Sequence, residues 1–140
     1  MKLKGIIVSG YFNPLHKGHI ELFKISKTKC DCLFVIVNND KQRALKGSKK
    51  FMLEEERALI VNELSVTDKV FLSIDNDKTV CKSLEMIYKD HSNSYDLSFA
   101  NGGDQNNKSI PENIICNKLG IKLIEGLGEK IQSSSWLINK

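Results

Sequence analysis

Gly10-Tyr11-Phe12-Asn13-Pro14-Leu15-His16-Lys17-Gly18-His19 decides the reading of this chain. The apolar run Ile6-Ile7-Val8 precedes it, and Ile20-Glu21-Leu22-Phe23-Lys24-Ile25, with helical spacing, follows. The order is therefore strand, glycine-bearing turn, helix, with the helix beginning at the two histidines. A helix start gathers unpaired backbone N–H groups and the positive end of the helix dipole. Two imidazoles beside such a start make a site for a phosphate chain. Gly10 and Gly18 allow close approach of backbone to ligand, and Pro14 stiffens the turn. Three residues apart, His16 and His19 share one face of the helix start.

Outward from this stretch, apolar β-rich runs recur at 5–9, 33–37, 70–74, 97–100 and 121–124. Helical spacing fills the gaps at 19–27, 53–64, 80–88 and 111–119, and a last helical piece begins near Ser133. Strands that alternate with helices predict a Rossmann-like α/β fold: a doubly wound, five-stranded parallel sheet with helices on both faces. Ligands of such sheets sit beyond the carboxyl ends of the strands. Pro111 suits the first turn of a helix, Gly120 suits a helix stop, and the Ser- and Asn-rich stretch 90–95 reads as a surface loop.

The 140 residues fit one domain, 1–140. With 41% hydrophobic and 27% charged residues, the composition is that of a soluble globular protein. A formal charge of +4, with lysines scattered rather than blocked, suits an anionic small ligand at least as well as a nucleic acid. No apolar run approaches the roughly 18–20 residues that span a membrane. The first residues lack the pattern of a signal peptide, so a cytoplasmic location is expected, with neither nucleic acid nor membrane as partner. Cys30, Cys32, Cys81 and Cys116 have no spacing suited to zinc, and reduced, partly buried thiols are expected.

Further candidates follow the strand ends. Asn38-Asn39-Asp40 closes the second strand, and Arg43, Lys46, Lys49 and Lys50 follow with Gly47 and Ser48. This reads as a flexible basic loop, either solvated or a lid that brings ammonium groups to phosphates, with Lys46 the best candidate. Arg57 is either a helix-surface arginine paired with Glu54 or with another nearby carboxylate, or a fork-shaped donor for phosphate oxygens. In Asn101-Gly102-Gly103-Asp104-Gln105 the glycines leave room for a base or ribose, and Asp104 can accept hydrogen bonds from it. Ser133-Ser134-Ser135 offers helix-capping hydroxyls that also suit phosphate. Trp136 is expected in the core.

Taken together, these residues resemble the cytidylyltransferase-like nucleotidyltransferase superfamily over essentially the whole chain. Its His-x-Gly-His signature is matched by His16-Lys17-Gly18-His19, and its Ser/Thr-rich element at the last helix by Ser133-Ser134-Ser135. Within it the chain is similar to glycerol-3-phosphate cytidylyltransferases in length and in the helix arginine. It is similar to heptose 1-phosphate adenylyltransferase domains in Leu45-Lys46-Gly47, in Glu55 to Arg57 and in Gly102-Gly103-Asp104. It departs from the cytidylyltransferases where Gly128-Glu129-Lys130-Ile131-Gln132 replaces their Arg-Thr-x-Gly, which leaves Lys130 as the nearest cation.

The resemblance implies transfer of a nucleoside monophosphate from CTP, or ATP, to a small phosphorylated polyol or sugar, with release of pyrophosphate. His16, His19, Lys46 and Arg57 would be catalytic. Gly10, Tyr11, Phe12, Gly18, Gly102, Asp104, Ser133, Ser134 and Ser135 would bind nucleotide. Asn39 and Asp40 would face the acceptor. Mg²⁺ would arrive with the triphosphate rather than in a protein cage, and relatives suggest a homodimer. The competing readings are a nucleotide-sensing module of the same fold without turnover and, less well matched, a fragment of a class I aminoacyl-tRNA synthetase.

Overall fold

The computed structural model describes residues 2–47, 49, 51–100 and 110–124. In chain order the elements are β1 (Leu3–Gly10), α1 (Lys17–Lys27), β2 (Cys32–Val37), α2 (Asp40–Lys46) and α3 (Glu54–Asn62). They continue as β3 (Lys69–Leu72), α4 (Cys81–His91), β4 (Tyr95–Ala100), α5 (Ile110–Leu119) and β5 (Lys122–Ile124). The five strands form one parallel sheet in the order β3-β2-β1-β4-β5. This is the α/β fold that the alternation of apolar runs predicts.

Strand side chains alternate between two cores. Ile6, Val8, Leu33, Val35 and Val37 face α1 and α3 through Phe23 and Val61. Ile7, Phe34, Ile36, Leu97 and Phe99 face α4 and α5 through Leu84, Ile87 and Cys116. Because both faces are covered, β2 reads as an unbroken apolar run, Cys-Leu-Phe-Val-Ile-Val, and every residue of it is buried. Each fully buried Leu, Ile or Phe contributes roughly 1.5–3 kcal/mol.

Two stretches differ from expectation. The basic segment after β2 is not a loop as far as Lys46: it folds as α2, so Arg43 and Lys46 are helical. Asn39 caps this helix by accepting from the Gln42 N–H at 2.9 Å, Gln42 Oε1 reaches back to the Asn39 N–H at 3.1 Å, and Gly47 ends it with φ +85°. The stretch 90–95 is a surface turn only over 92–94. His91 belongs to α4 and Tyr95 to β4, and both rings pack against Phe34, at 5.3 and 5.2 Å between centroids.

Strand order reverses direction at β1, with β2 and β3 on one side and β4 and β5 on the other. The crevice beyond the carboxyl ends at such a reversal is where open α/β sheets bind ligands. The turn 11–16 leaves β1 at that point.

Candidate functional site

The turn is shaped by its own aromatic residue. Phe12 adopts φ 52°, a region that costs a non-glycine residue about 1–3 kcal/mol. Its ring is buried against Phe23, with centroids 5.5 Å apart, and meets His19 edge-on at 4.9 Å. A Cβ at position 10 would stand 2.9 Å from that ring, so Gly10 makes room for Phe12. The Asn13–Pro14 peptide is cis.

α1 begins with a capping arrangement built from imidazoles. His16 is the N-cap, and its Nδ1 accepts the Gly18 N–H at 3.0 Å. His19 Nδ1 accepts the His16 N–H at 3.1 Å. These two bonds do what the hydroxyl and carboxylate of a Ser-x-x-Glu box ordinarily do. They also commit the Gly18 N–H to the protein, where sequence reasoning had left it for a ligand. Because both Nδ1 atoms accept, the proton of each neutral ring sits on Nε2. The rings lie 3.9 Å apart between centroids, tilted by 32°. Burial, then His16, then the Lys46 ammonium push the His19 pKa down to about 3, so His19 is neutral at pH 7. The arrangement is a pair of N–H donors at the positive end of a helix.

Lys46, in the last turn of α2, places its Nζ 4.4 Å from the centroid of the Tyr11 ring. The helix brings this lysine, the likeness-derived donor, back beside the histidine pair. Burial raises the Tyr11 pKa, partly offset by Arg57.

Arg57 is not on the helix surface: it is fully buried, and the carboxylate it pairs with is Asp40 rather than Glu54. Its Nε donates to Met52 O at 3.1 Å. Its Nη1 donates to Tyr11 O and Asn38 O, both at 2.7 Å, and its Nη2 to Asp40 Oδ1 at 2.7 Å. Glu54 pairs instead with Asp40, accepting its N–H at 2.8 Å.

Asn39 and Asp40, the residues expected to face an acceptor, are half-buried and also bond within the fold. Asn39 Nδ2 donates to Ser73 O at 3.1 Å and Asp75 O at 2.9 Å. Burial raises the Asp40 carboxyl, but the Arg57 hydrogen bond and the Glu54 N–H outweigh it and hold the pKa below the ordinary value.

Sequence reasoning missed four groups near the strand ends. Asn13 donates to Lys49 O at 2.9 Å and accepts the Met52 N–H at 3.0 Å, which ties Lys49 and Met52 to the turn. Buried Gln42 accepts from Asn38 and from the Ser73 hydroxyl, and donates to Asp77 O and Thr79 O, both at 2.7 Å. Asp75 accepts the Lys82 and Ser83 N–H groups at 2.7 and 3.0 Å and so serves the start of α4. Glu112, 8% exposed in the first turn of α5, accepts the Val80 N–H at 3.1 Å, and burial raises its pKa. The spacing Asn39-x-x-Gln42 was a readable capping signal; the others depend on tertiary contacts.

Gly102, Asp104, Ser133, Ser134 and Ser135 lie outside the described residues, as do Lys130 and Trp136. All four thiols are free, and burial raises each, Cys116 to about 12. Among the described residues no group of three or more His, Cys, Asp or Glu could hold a metal ion, and no helix is long and apolar enough to cross a membrane.

The sequence model of the Cytidylyltransferase-like family matches residues 7–123. The chain belongs to this family. Among its relatives is an FAD synthase from Picrophilus torridus, 36% identical over 77 residues, which are 54% of this chain and 55% of that protein. Another is the bifunctional protein HldE of Pelobacter propionicus, 30% identical over 139 residues, which cover 96% of this chain and 25% of that protein. The chain thus spans about half the length of the first relative and a quarter of the second. Of the solved structures, the lipopolysaccharide core biosynthesis protein from Thermoplasma volcanium superposes with a TM-score of 0.70 at 27% identity. That match covers 88% of this chain and 95% of the other. The histidine pair, Gly18, Lys46 and Arg57 all meet at the turn after β1 or at the helix start it leads into.

Proposed function

We propose that this chain is a nucleotidyltransferase, moving a nucleoside monophosphate from a nucleoside triphosphate to a small phosphorylated polyol or sugar. The reading rests on one observation: both imidazoles commit Nδ1 to backbone N–H groups at the start of α1, which assigns their protons to Nε2. An oxygen of the acceptor phosphate attacks the α-phosphorus in line, the bond to the α–β bridging oxygen breaks, and pyrophosphate leaves with the electron pair. No protein nucleophile is needed, so catalysis is positioning and charge stabilisation. His16 and His19 donate to α- and β-phosphate oxygens as charge builds on the bridge. Lys46 adds positive charge from α2. Ser133, Ser134 and Ser135 hold the β- and γ-phosphates, and Gly102 and Asp104 the nucleoside. Asn39 and Asp40, half-buried beyond the end of β2, face the acceptor.

Mg²⁺ belongs to this reading as a passenger on the triphosphate, where it neutralises phosphate charge. The donor set fits that arrangement, because the turn offers N–H groups and an ammonium to phosphate oxygens rather than lone pairs to a metal. ATP is favoured over the CTP of the sequence reading, since an FAD synthase is an adenylyl-type enzyme.

The test is pyrophosphate release with ATP, CTP, GTP and UTP, each with Mg²⁺ and a panel of phosphorylated polyols and sugars. Release that requires one triphosphate and one acceptor class is the expected result. Triphosphate binding without release across the panel would favour the sensing module. A chain that binds none of the four would contradict both.

A further inference from the structure

Arg57 sits where an active-site arginine is expected, yet four of its five N–H groups are spent inside the protein. Its targets are not arbitrary. Tyr11 O and Asn38 O are the first carbonyls beyond the ends of β1 and β2, which run side by side with Gly10 opposite Val37. Asp40 is the first residue of α2, and Met52 O belongs to the segment that Asn13 ties to the turn. One buried guanidinium therefore joins the turn that leads to the histidines, the start of the helix that ends in Lys46, and the approach to α3. Asp40 locks the join, accepting Arg57 at 2.7 Å through Oδ1 and the Glu54 N–H at 3.2 Å through Oδ2. A planar fork meets this set of acceptors; a lysine ammonium, a point donor on a flexible stem, cannot reach four of them at fixed angles.

We propose that Arg57 is a positioning residue for the transfer reaction: it holds the turn 11–16 and α2 as one unit, and so sets the place of Lys46 relative to His16 and His19. The proposal rests on the nucleotidyltransferase reading for its catalytic consequence, but the mechanical join stands apart from it. A residue acting through Lys46 loses its effect once Lys46 is gone, and the amide-exchange readout separates it from a direct phosphate ligand, whose removal leaves exchange in 11–19 and 38–46 unchanged.

The experiment is a cycle of Arg57→Lys, Lys46→Ala and the double variant, read as kcat and KM for the triphosphate, with thermal unfolding of each. Arg57→Lys is expected to lower kcat at least tenfold with KM changed less. The double variant should then lie within about threefold of Lys46→Ala alone. Single effects that multiply in the double variant would overturn the proposal, as would normal kcat in a folded Arg57→Lys. Should Arg57→Lys fail to fold, Asp40→Asn replaces it, since it loosens the join while keeping the guanidinium. Full activity of Asp40→Asn would then count against the proposal. Amide hydrogen exchange gives a readout that needs no turnover. Loosening of the join should speed exchange in 11–19 and 38–46 together and leave α4 and α5 protected. Faster exchange in one segment alone, or throughout the chain, would sink the join even if the enzyme reading holds.

Discussion

At the scale of single residues, His16 and His19 each have two jobs that can be separated. Nδ1 closes the start of α1, and Nε2–H is the group proposed to act on a ligand. Serine at position 16 keeps a good N-cap but removes the imidazole N–H. His16→Ser should therefore unfold within about 1 kcal/mol of the parent, while turnover falls roughly 10²–10³-fold, as for loss of one charge-stabilising donor. Urea unfolding and pyrophosphate release measure the two effects side by side. His19 carries a second expectation. Its folded pKa is depressed from 6.5 to about 3, mainly by burial, so the unfolded chain takes up a proton first as pH falls. Its contribution to stability is complete above pH 6.5 and is lost progressively between 6.5 and about 3. An NMR titration should show no His19 inflection near 6.5; one at the ordinary value would mean that the ring is solvated rather than held in the turn.

At the scale of elements, α2 carries the argument, because a loop would not return Lys46 to Tyr11. Its stop depends on Gly47 at φ +85°, where an added Cβ would meet nothing within 4 Å. The cost of a side chain there is conformational alone. Gly47→Ala should lose about 1 kcal/mol in denaturant unfolding, and Gly47→Asn less, since Asn tolerates the left-handed region. Equal losses would mean that sterics, not backbone conformation, set the position.

The same helix shows what was legible in the sequence. The five strands and the four long helices follow from apolar periodicity, because burial on one or both faces writes itself into spacing. α2 was hidden by its lysines and arginine, although Asn39-x-x-Gln42 and Gly47 mark its two ends. The identity of the histidine pair was legible from its place between strand and helix. Its tautomer was not, because that depends on which backbone N–H each Nδ1 meets. The burial of Arg57 was not legible because arginine is seldom fully buried, and three of its four acceptors come from residues 17 to 46 positions away. Gln42, Ser73, Asp75 and Glu112 join through the tertiary fold, which no spacing rule reports.

At the scale of the whole molecule, the sheet supplies a rigid edge and the turn sits on it at the strand-order reversal. A ligand held there binds only the folded chain and raises its apparent stability. At a hundred times its Kd, a triphosphate with Mg²⁺ should add about 2.7 kcal/mol. For a domain of this size that is roughly an 8 °C rise in Tm. The rise should be largest for ATP and should shrink in His16→Ser and Lys46→Ala. Equal rises for all four triphosphates would show that the base is not read.

The most direct test of the central claim is a crystal structure of the complex with a non-hydrolysable triphosphate analogue. The expected result places α- or β-phosphate oxygens at hydrogen-bond distance, about 2.7–3.1 Å, from Nε2 of both His16 and His19, with the two Nδ1 atoms still on their backbone partners. A phosphate tail lying away from both rings, or rings flipped to offer Nδ1, would contradict it.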